Sequence, residues 1–161
     1  MEVTLEMAAA AEAPVLLDMQ KMAFLPLLEK YQDVETSPAT ETIERLTSKM
    51  TDHRNKFYKI LADGKLAGAI CVRQKGAMRC RISPLFVLPE YQGLGIAQET
   101  IRKVELLFSE AKVWELSTLL EEQGNCYLYE KVGYVQIGGT QKLTDRATLV
   151  HYQKSFVETI S

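Results

Sequence analysis

The sequence predicts an α/β fold: a mixed, mostly antiparallel central sheet flanked by helices. Three observations carry this reading. The apolar runs Phe57–Leu61 and Leu66–Val72 flank Asp63-Gly64, a dipeptide suited to the tight turn of a β-hairpin. Ala97, Ile101, Val104, Phe108 and Ala111 recur at the spacing of an amphipathic helix. Further strand-like runs lie on both sides of that helix, so strands and helices share one layered unit.

Taken in order, Val3, Leu5 and Met7 alternate with polar neighbours and predict a strand. Pro14 then opens a helix at a position where its missing N–H does no harm. Val15, Leu16, Met19, Met22 and Ala23 recur at helical spacing, and Pro26 is expected to kink or end the helix. The polar segment Lys30–Ser37 reads as a loop. Ser37-Pro38 reads as the cap and first position of a second helix, whose buried face is Ile43, Leu46 and Met50. The hairpin follows, then a second turn at Lys75-Gly76. Met78–Leu88 is a long strand, with Met78, Cys80 and Ile82 on one face and Arg79, Arg81 and Ser83 on the other. Pro84 cannot donate to a sheet ladder, so a bulge or splayed edge is expected there. Beyond the helix at Ala97–Ala111, Val113–Leu119 reads as a strand, Glu121–Asn125 as a loop and Cys126–Lys131 as a short helix. Gly133 is its left-handed terminator. Val135–Ile137 and Ala147–Phe156 are the last strands, with Gly138-Gly139 breaking the chain between them.

Composition narrows the function. The 161 residues fit one domain, 1–161, and 47% hydrophobic residues supply a substantial core. A net charge of −2 gives no general reason to bind nucleic acid or an anionic membrane. Neither partner is expected. The N-terminus lacks a basic region before an apolar run, so no targeting signal is read. Cys71, Cys80 and Cys126 lack paired spacing, which argues against disulfides and a zinc site; no metal is expected. A reducing, cytoplasmic setting fits best.

Two stretches carry chemistry. Gln92-Gly93-Leu94-Gly95-Ile96-Ala97 joins an apolar run to the start of a helix. The first amides of a helix have no partner within it, and the helix dipole adds about half a positive charge there. Gly93 and Gly95 let an anion approach the backbone, and Ala97 keeps the first turn small, so a diphosphate is the natural ligand. A dinucleotide fingerprint would need a third glycine where Gln98 stands, and a Walker loop would need GK[ST]. The second stretch is Asn125-Cys126-Tyr127-Leu128-Tyr129-Glu130-Lys131-Val132-Gly133-Tyr134. By itself, Tyr129 is either a proton donor or a packed tyrosine, and Asn125 either a ligand-binding amide or a helix cap. Trp114 and Tyr134 read as core or sheet-surface residues, and the cysteines as small core residues.

The pattern Asn-x-x-x-Tyr-x-Lys-x-Gly-Tyr, joined to Gln-x-x-Gly-x-Ala upstream, resembles the GNAT acyltransferase superfamily. The resemblance runs from about Phe57 to Tyr134 and includes the strand end Phe86–Tyr91. It implies an N-acetyltransferase with acetyl-coenzyme A as cosubstrate and a primary amine as acceptor, on a small molecule or a peptide. It implies that amides at Gly93, Leu94, Gly95, Ile96 and Ala97, within the segment Gln92–Gln98, bind the pyrophosphate. Main-chain groups of Phe86 and Val87 are expected to pair with pantetheine, one amide polarising the thioester carbonyl. Asn125 is expected near the pantetheine, and Tyr129 as the acid that protonates the leaving thiolate. The resemblance also admits a homodimer.

The long strand offers no carboxylate to act as base. Glu115, His151 and His53 are the substitutes in the sequence, with a water chain as another route. That gap sustains an alternative: a non-catalytic acyl-coenzyme A sensor or interaction module. The loop Lys30–Ser37 is expected to shape the acceptor site, and Arg79 and Arg81 favour an acceptor with an anionic group.

Overall fold

A computed structural model of the chain describes residues 1–156; residues 157–161, the end of the expected 1–161 unit, lie outside the described residues. In chain order the elements are β1 (Val3–Met7), α1 (Ala13–Tyr31), α2 (Ile43–Thr51), β2 (Asn55–Ala62), β3 (Lys65–Lys75) and β4 (Arg79–Val87). Then come α3 (Ile96–Leu107), β5 (Val113–Leu119), α4 (Gln123–Lys131), β6 (Val135–Thr144) and β7 (Ala147–Ser155). The strands form one sheet in the order β1-β2-β3-β4-β5-β7-β6. Every neighbouring pair is antiparallel except β4 and β5, which are parallel.

The hairpin turn forms as its dipeptide requires, with Asp63 at φ 49° and Gly64 at φ 79°. β3 then feeds both faces of the sheet by simple alternation. Ile70 and Val72 join the layer beneath α3 and α4, with Trp114, Ile101, Val104, Val150 and Tyr152. Ala69 and Cys71 join the opposite layer, where α1 and α2 deliver Leu16, Leu17, Met19 and Leu46.

β4 and β5 pair only over Arg79–Arg81 and Val113–Glu115. Past that point β4 is bulged. Ile70 pairs with Leu85 and Val72 with Ile82, so Ser83 and Pro84 stand opposite the single residue Cys71. Pro84 has no N–H to offer a neighbour. The two strands therefore part, and a wedge opens in the sheet.

Several expected boundaries move. α1 continues through Pro26 to Tyr31, because the proline removes only the bond to the Met22 carbonyl and Met22 lies on the exposed side. Its buried face is Leu16, Leu17, Met19 and Gln20; Val15 and Met22 are more than half exposed. Ser37 caps only the short 3₁₀ turn Pro38–Thr40, accepting from the Ala39 amide at 3.1 Å. The Gln20 side chain pins that turn to α1 by donating to the Pro38 carbonyl at 2.8 Å. α2 restarts at Ile43 under its own cap, Thr42. Of its expected buried face, Leu46 is buried and Met50 packs beside it, while Ile43 is exposed. α4 begins at Gln123 because the Glu122 carbonyl accepts from both the Asn125 and Cys126 amides at 3.1 Å. β6 runs through Gly138-Gly139: residues 138–140 bulge opposite Val150, with Gly138 at φ 67°. β7 ends at Ser155 rather than Phe156.

Candidate active site in the strand wedge

The wedge between β4 and β5 holds two cavities. One, of about 520 Å³, lies between the end of β4, the loop into α3, and α4. The other, of about 340 Å³, lies between α1, the segment after it, and the parted strands. Phe24, Leu27, Leu85, Glu122, Asn125 and Tyr129 line both, so the cavities meet at those side chains.

The larger cavity receives the glycine loop. Gly93 and Gly95 have φ 78° and 80°, and a Cβ on either would meet no atom within 4 Å. Their open side is where an anion can reach the backbone. The first helical bond of α3 runs from the Glu99 amide to the Gly95 carbonyl at 3.1 Å. The amides of Gly95, Ile96, Ala97 and Gln98 precede that bond and have no carbonyl of their own turn to meet. Gly93, Gly95, Ile96, Ala97 and Gln98 line this cavity. The Leu94 side chain does not: it lies half exposed beside Glu2 and Val3. Gln92 braces the loop, its side-chain amide donating to the Val87 carbonyl at 3.0 Å.

Backbone alternation orients the end of β4. The Leu88 amide donates to the Ala67 carbonyl at 2.7 Å, which places the Leu88 and Phe86 backbone groups toward β3. The Phe86 carbonyl crowds Gly68 so closely that a Cβ there would lie 2.1 Å from it. Val87, opposite Gly68, turns its N–H the other way, into the wedge. Of the two expected strand residues, Val87 thus presents its main chain to the cavity, and Phe86 contributes lining.

Tyr129 and Asn125 project from α4 at the junction. The Tyr129 ring is buried against Tyr134 and Tyr152, with centroids 6.4 and 6.1 Å away. Those two neighbours donate to Glu105 and Glu130 at 2.9 and 2.7 Å. Among the described residues, the Tyr129 hydroxyl has no hydrogen-bond partner. Burial pushes its phenol up to about 12, so it keeps its proton across physiological pH. Asn125 lies in the first turn of α4, which is capped at Glu122, so it is not the helix cap.

The substitute bases fare differently. Burial pushes the Glu115 carboxyl up, but Lys75, Arg79 and Arg81 outweigh it and hold the group below the ordinary range. Glu115 contacts Lys75 at 2.6 Å, Arg79 at 3.0 Å and Arg81 at 3.8 Å, and lines neither cavity. His151 Nδ1 lies 2.7 Å from Ser117 Oγ, which also receives a bond from Arg81 at 2.9 Å. Ser117 and Arg81 line the smaller cavity; His151 and His53 line neither. The carboxylate at the junction is Glu122, which the sequence reading missed. The Tyr31 hydroxyl donates to its Oε2, with Lys30 at 3.4 Å. Its only signal in sequence is its position three residues before Asn125.

The three cysteines are free and buried, and burial pushes the Cys71 thiol up to about 12. Among the described residues, no group of three or more His, Cys, Asp or Glu is placed to hold a metal. None of the described helices is long and apolar enough to cross a membrane.

A parted parallel strand pair, a glycine loop at a helix start and a buried tyrosine meet at the two cavities, an arrangement suited to an acyl-coenzyme A-dependent transferase. A sequence model of the acetyltransferase (GNAT) domain matches residues 27–156. The chain belongs to the GNAT family: it is an N-acetyltransferase whose cosubstrate is acetyl-coenzyme A. Among curated protein sequences none matches it. Similar solved structures share its fold. PaiA N-acetyltransferase from Thermoplasma acidophilum, in complex with coenzyme A, has a TM-score of 0.74 at 14% identity, over 96% of this chain and 99% of that one. The ribosomal-protein-S18-alanine N-acetyltransferase from Escherichia coli has 0.76 at 12% identity, over 98% and 96%. Spermidine N-acetyltransferase from Vibrio cholerae, in complex with coenzyme A and spermine, has 0.75 at 15% identity, over 95% of each chain.

Proposed function

We propose that the larger cavity holds acetyl-coenzyme A and the smaller one a primary amine, with transfer in a ternary complex at their junction. The carrying observation is that the unpartnered Tyr129 hydroxyl lies on residues shared by both cavities. The cosubstrate supplies an activated acetyl thioester. Open Cβ space at Gly93 and Gly95, together with the free amides of Gly95, Ile96, Ala97 and Gln98, suits its pyrophosphate. Gln92 and Leu94 serve as loop brace and backbone contact. Asn125 orients the pantetheine end.

Attack forms the amine N–C bond as the thioester C–S bond breaks. The Val87 N–H donates to the thioester oxygen as charge builds there. Tyr129 gives its proton to the departing sulfur, and Glu122 accepts the proton from the amine. The phenolate regains a proton from solvent. With Glu122 as the base, the missing strand carboxylate no longer favours the sensor reading. The acceptor is a small-molecule or peptide amine and the setting is cytoplasmic.

The test is thiol release across an amine panel with saturating acetyl-coenzyme A. Wild type should turn over at least one amine, and Glu122→Gln should cut kcat while leaving coenzyme A affinity intact. Wild-type rates in Glu122→Gln under chemistry-limited conditions would remove the base assignment.

A further inference from the structure

Asp33 lines the smaller cavity and not the larger one, and among the described residues its carboxyl group there lacks a partner. Asp33 is 9% exposed, its Oδ1 is fully buried, and that atom has no hydrogen-bond partner. Among the described residues no cationic side chain pairs with it. A buried carboxylate in that condition is costly unless something charged or polar arrives to meet it. Its position is fixed: the Asp33 backbone carbonyl accepts from the Thr36 and Ser37 amides at 3.1 and 2.8 Å. It also stands just beyond the C-terminal end of the 19-residue helix α1, where the helix dipole adds further negative potential. Both features repel an anion and favour a cation.

Arg81 lines the same cavity and, among the described residues there, is the side chain that points to an anionic ligand. Its guanidinium is already engaged, by Ser117 Oγ at 2.9 Å and Glu115 at 3.8 Å. Asp33 has no such commitment. It lines only the smaller cavity, whereas Glu122 and Tyr129 line both. An acceptor whose amine reacts at the junction therefore extends its remaining chain toward Asp33.

We propose that Asp33 recognises a second cationic amine on the acceptor, so that the substrate class is diamines and longer polyamines. This rests on the acetyltransferase reading of the same site. The reacting amine sits at Tyr129 and Glu122, and the remote ammonium meets the Asp33 carboxylate.

The test compares straight-chain α,ω-diamines of graded length with the matching monoamines, using the full chain and saturating acetyl-coenzyme A. Wild type should favour the best diamine over its monoamine by tenfold or more in kcat/KM. Asp33→Asn should bring that ratio close to one; melting temperature and coenzyme A titration report whether the variant is folded. Equal use of both amines by wild type, or an unchanged ratio in Asp33→Asn, overturns the proposal. Calorimetric titration of the same amines into wild type saturated with coenzyme A needs neither turnover nor a variant. Diamine binding without monoamine binding supports the Asp33 site even if no acetyl transfer follows, in which case the residue roles proposed for catalysis fail alone. No difference between the two titrations overturns it.

Discussion

Burial holds the Tyr129 side chain in place and leaves its hydroxyl without a partner among the described residues. The rings of Tyr134 and Tyr152 fix its position, while only their hydroxyls, not its own, have carboxylate partners. Tyr129→Phe keeps the packing and removes the proton, so kcat should fall by roughly 10²-fold or more, in the range of general-acid effects. Affinity for coenzyme A should stay near that of wild type, and undiminished turnover in single-turnover assays would remove the acid role. Tyr129, Asn125 and the loop glycines are legible in the sequence because each belongs to a local pattern. Glu122 and Asp33 are not. Glu122 owes its place to Tyr31, 91 residues earlier, and Asp33 becomes a buried carboxylate only when α1 closes against the parted strands.

The wedge is a property of elements. Pro84 denies β4 a ladder donor, the bulge follows, and the parallel pair β4–β5 separates after three residues on each side. On the opposite edge of β4, Gly68 admits the Phe86 carbonyl at a distance no side chain allows. Gly68→Ala must therefore shift the strand end that carries the Val87 N–H. We expect a loss of about 1–3 kcal/mol in urea unfolding, the usual scale of overpacking, with a greater proportional loss in kcat than in coenzyme A affinity. Full stability and activity would show that β4 is not held there. Replacing residues 32–37, which bring Asp33, Thr36 and Ser37 to the smaller cavity, should alter acceptor preference and leave cosubstrate affinity intact. Lost cosubstrate binding would contradict that division. The sequence signals for Pro84 and the hairpin were local and held. Those for Ser37 and Gly138 misled, because tertiary contacts and a bulge let the chain continue or restart where local rules expected a break; of the kink or end expected at Pro26, the end does not occur.

At the scale of the molecule, the two-layer core buries several ionisable groups in their neutral forms. Burial pushes Tyr129 from its ordinary 10.0 to about 12 and Cys71 from 9.0 to about 12, and it raises Tyr134 and Tyr152 as well. The folded state thus binds more protons than the unfolded chain above about pH 9. The corresponding stability is complete below that pH and is lost as pH rises toward 12, by up to ~1.4 kcal/mol per pH unit for each group. The urea midpoint should hold from pH 7 to 9 and then fall; an unchanged midpoint to pH 11 would contradict it. Element order and sheet class were legible because periodicity and turn residues determine them. The meeting of two cavities at Tyr129 was not, since it depends on strand order. Calorimetric titration with acetyl-coenzyme A decides whether the glycine loop and the wedge together hold the cosubstrate. Wild type should bind saturably and one-to-one, and a folded Gly95→Glu variant should lose that binding, because a carboxylate would occupy the open space beside the free amides. Wild type that is folded and does not bind, or a variant that binds equally well, would contradict it.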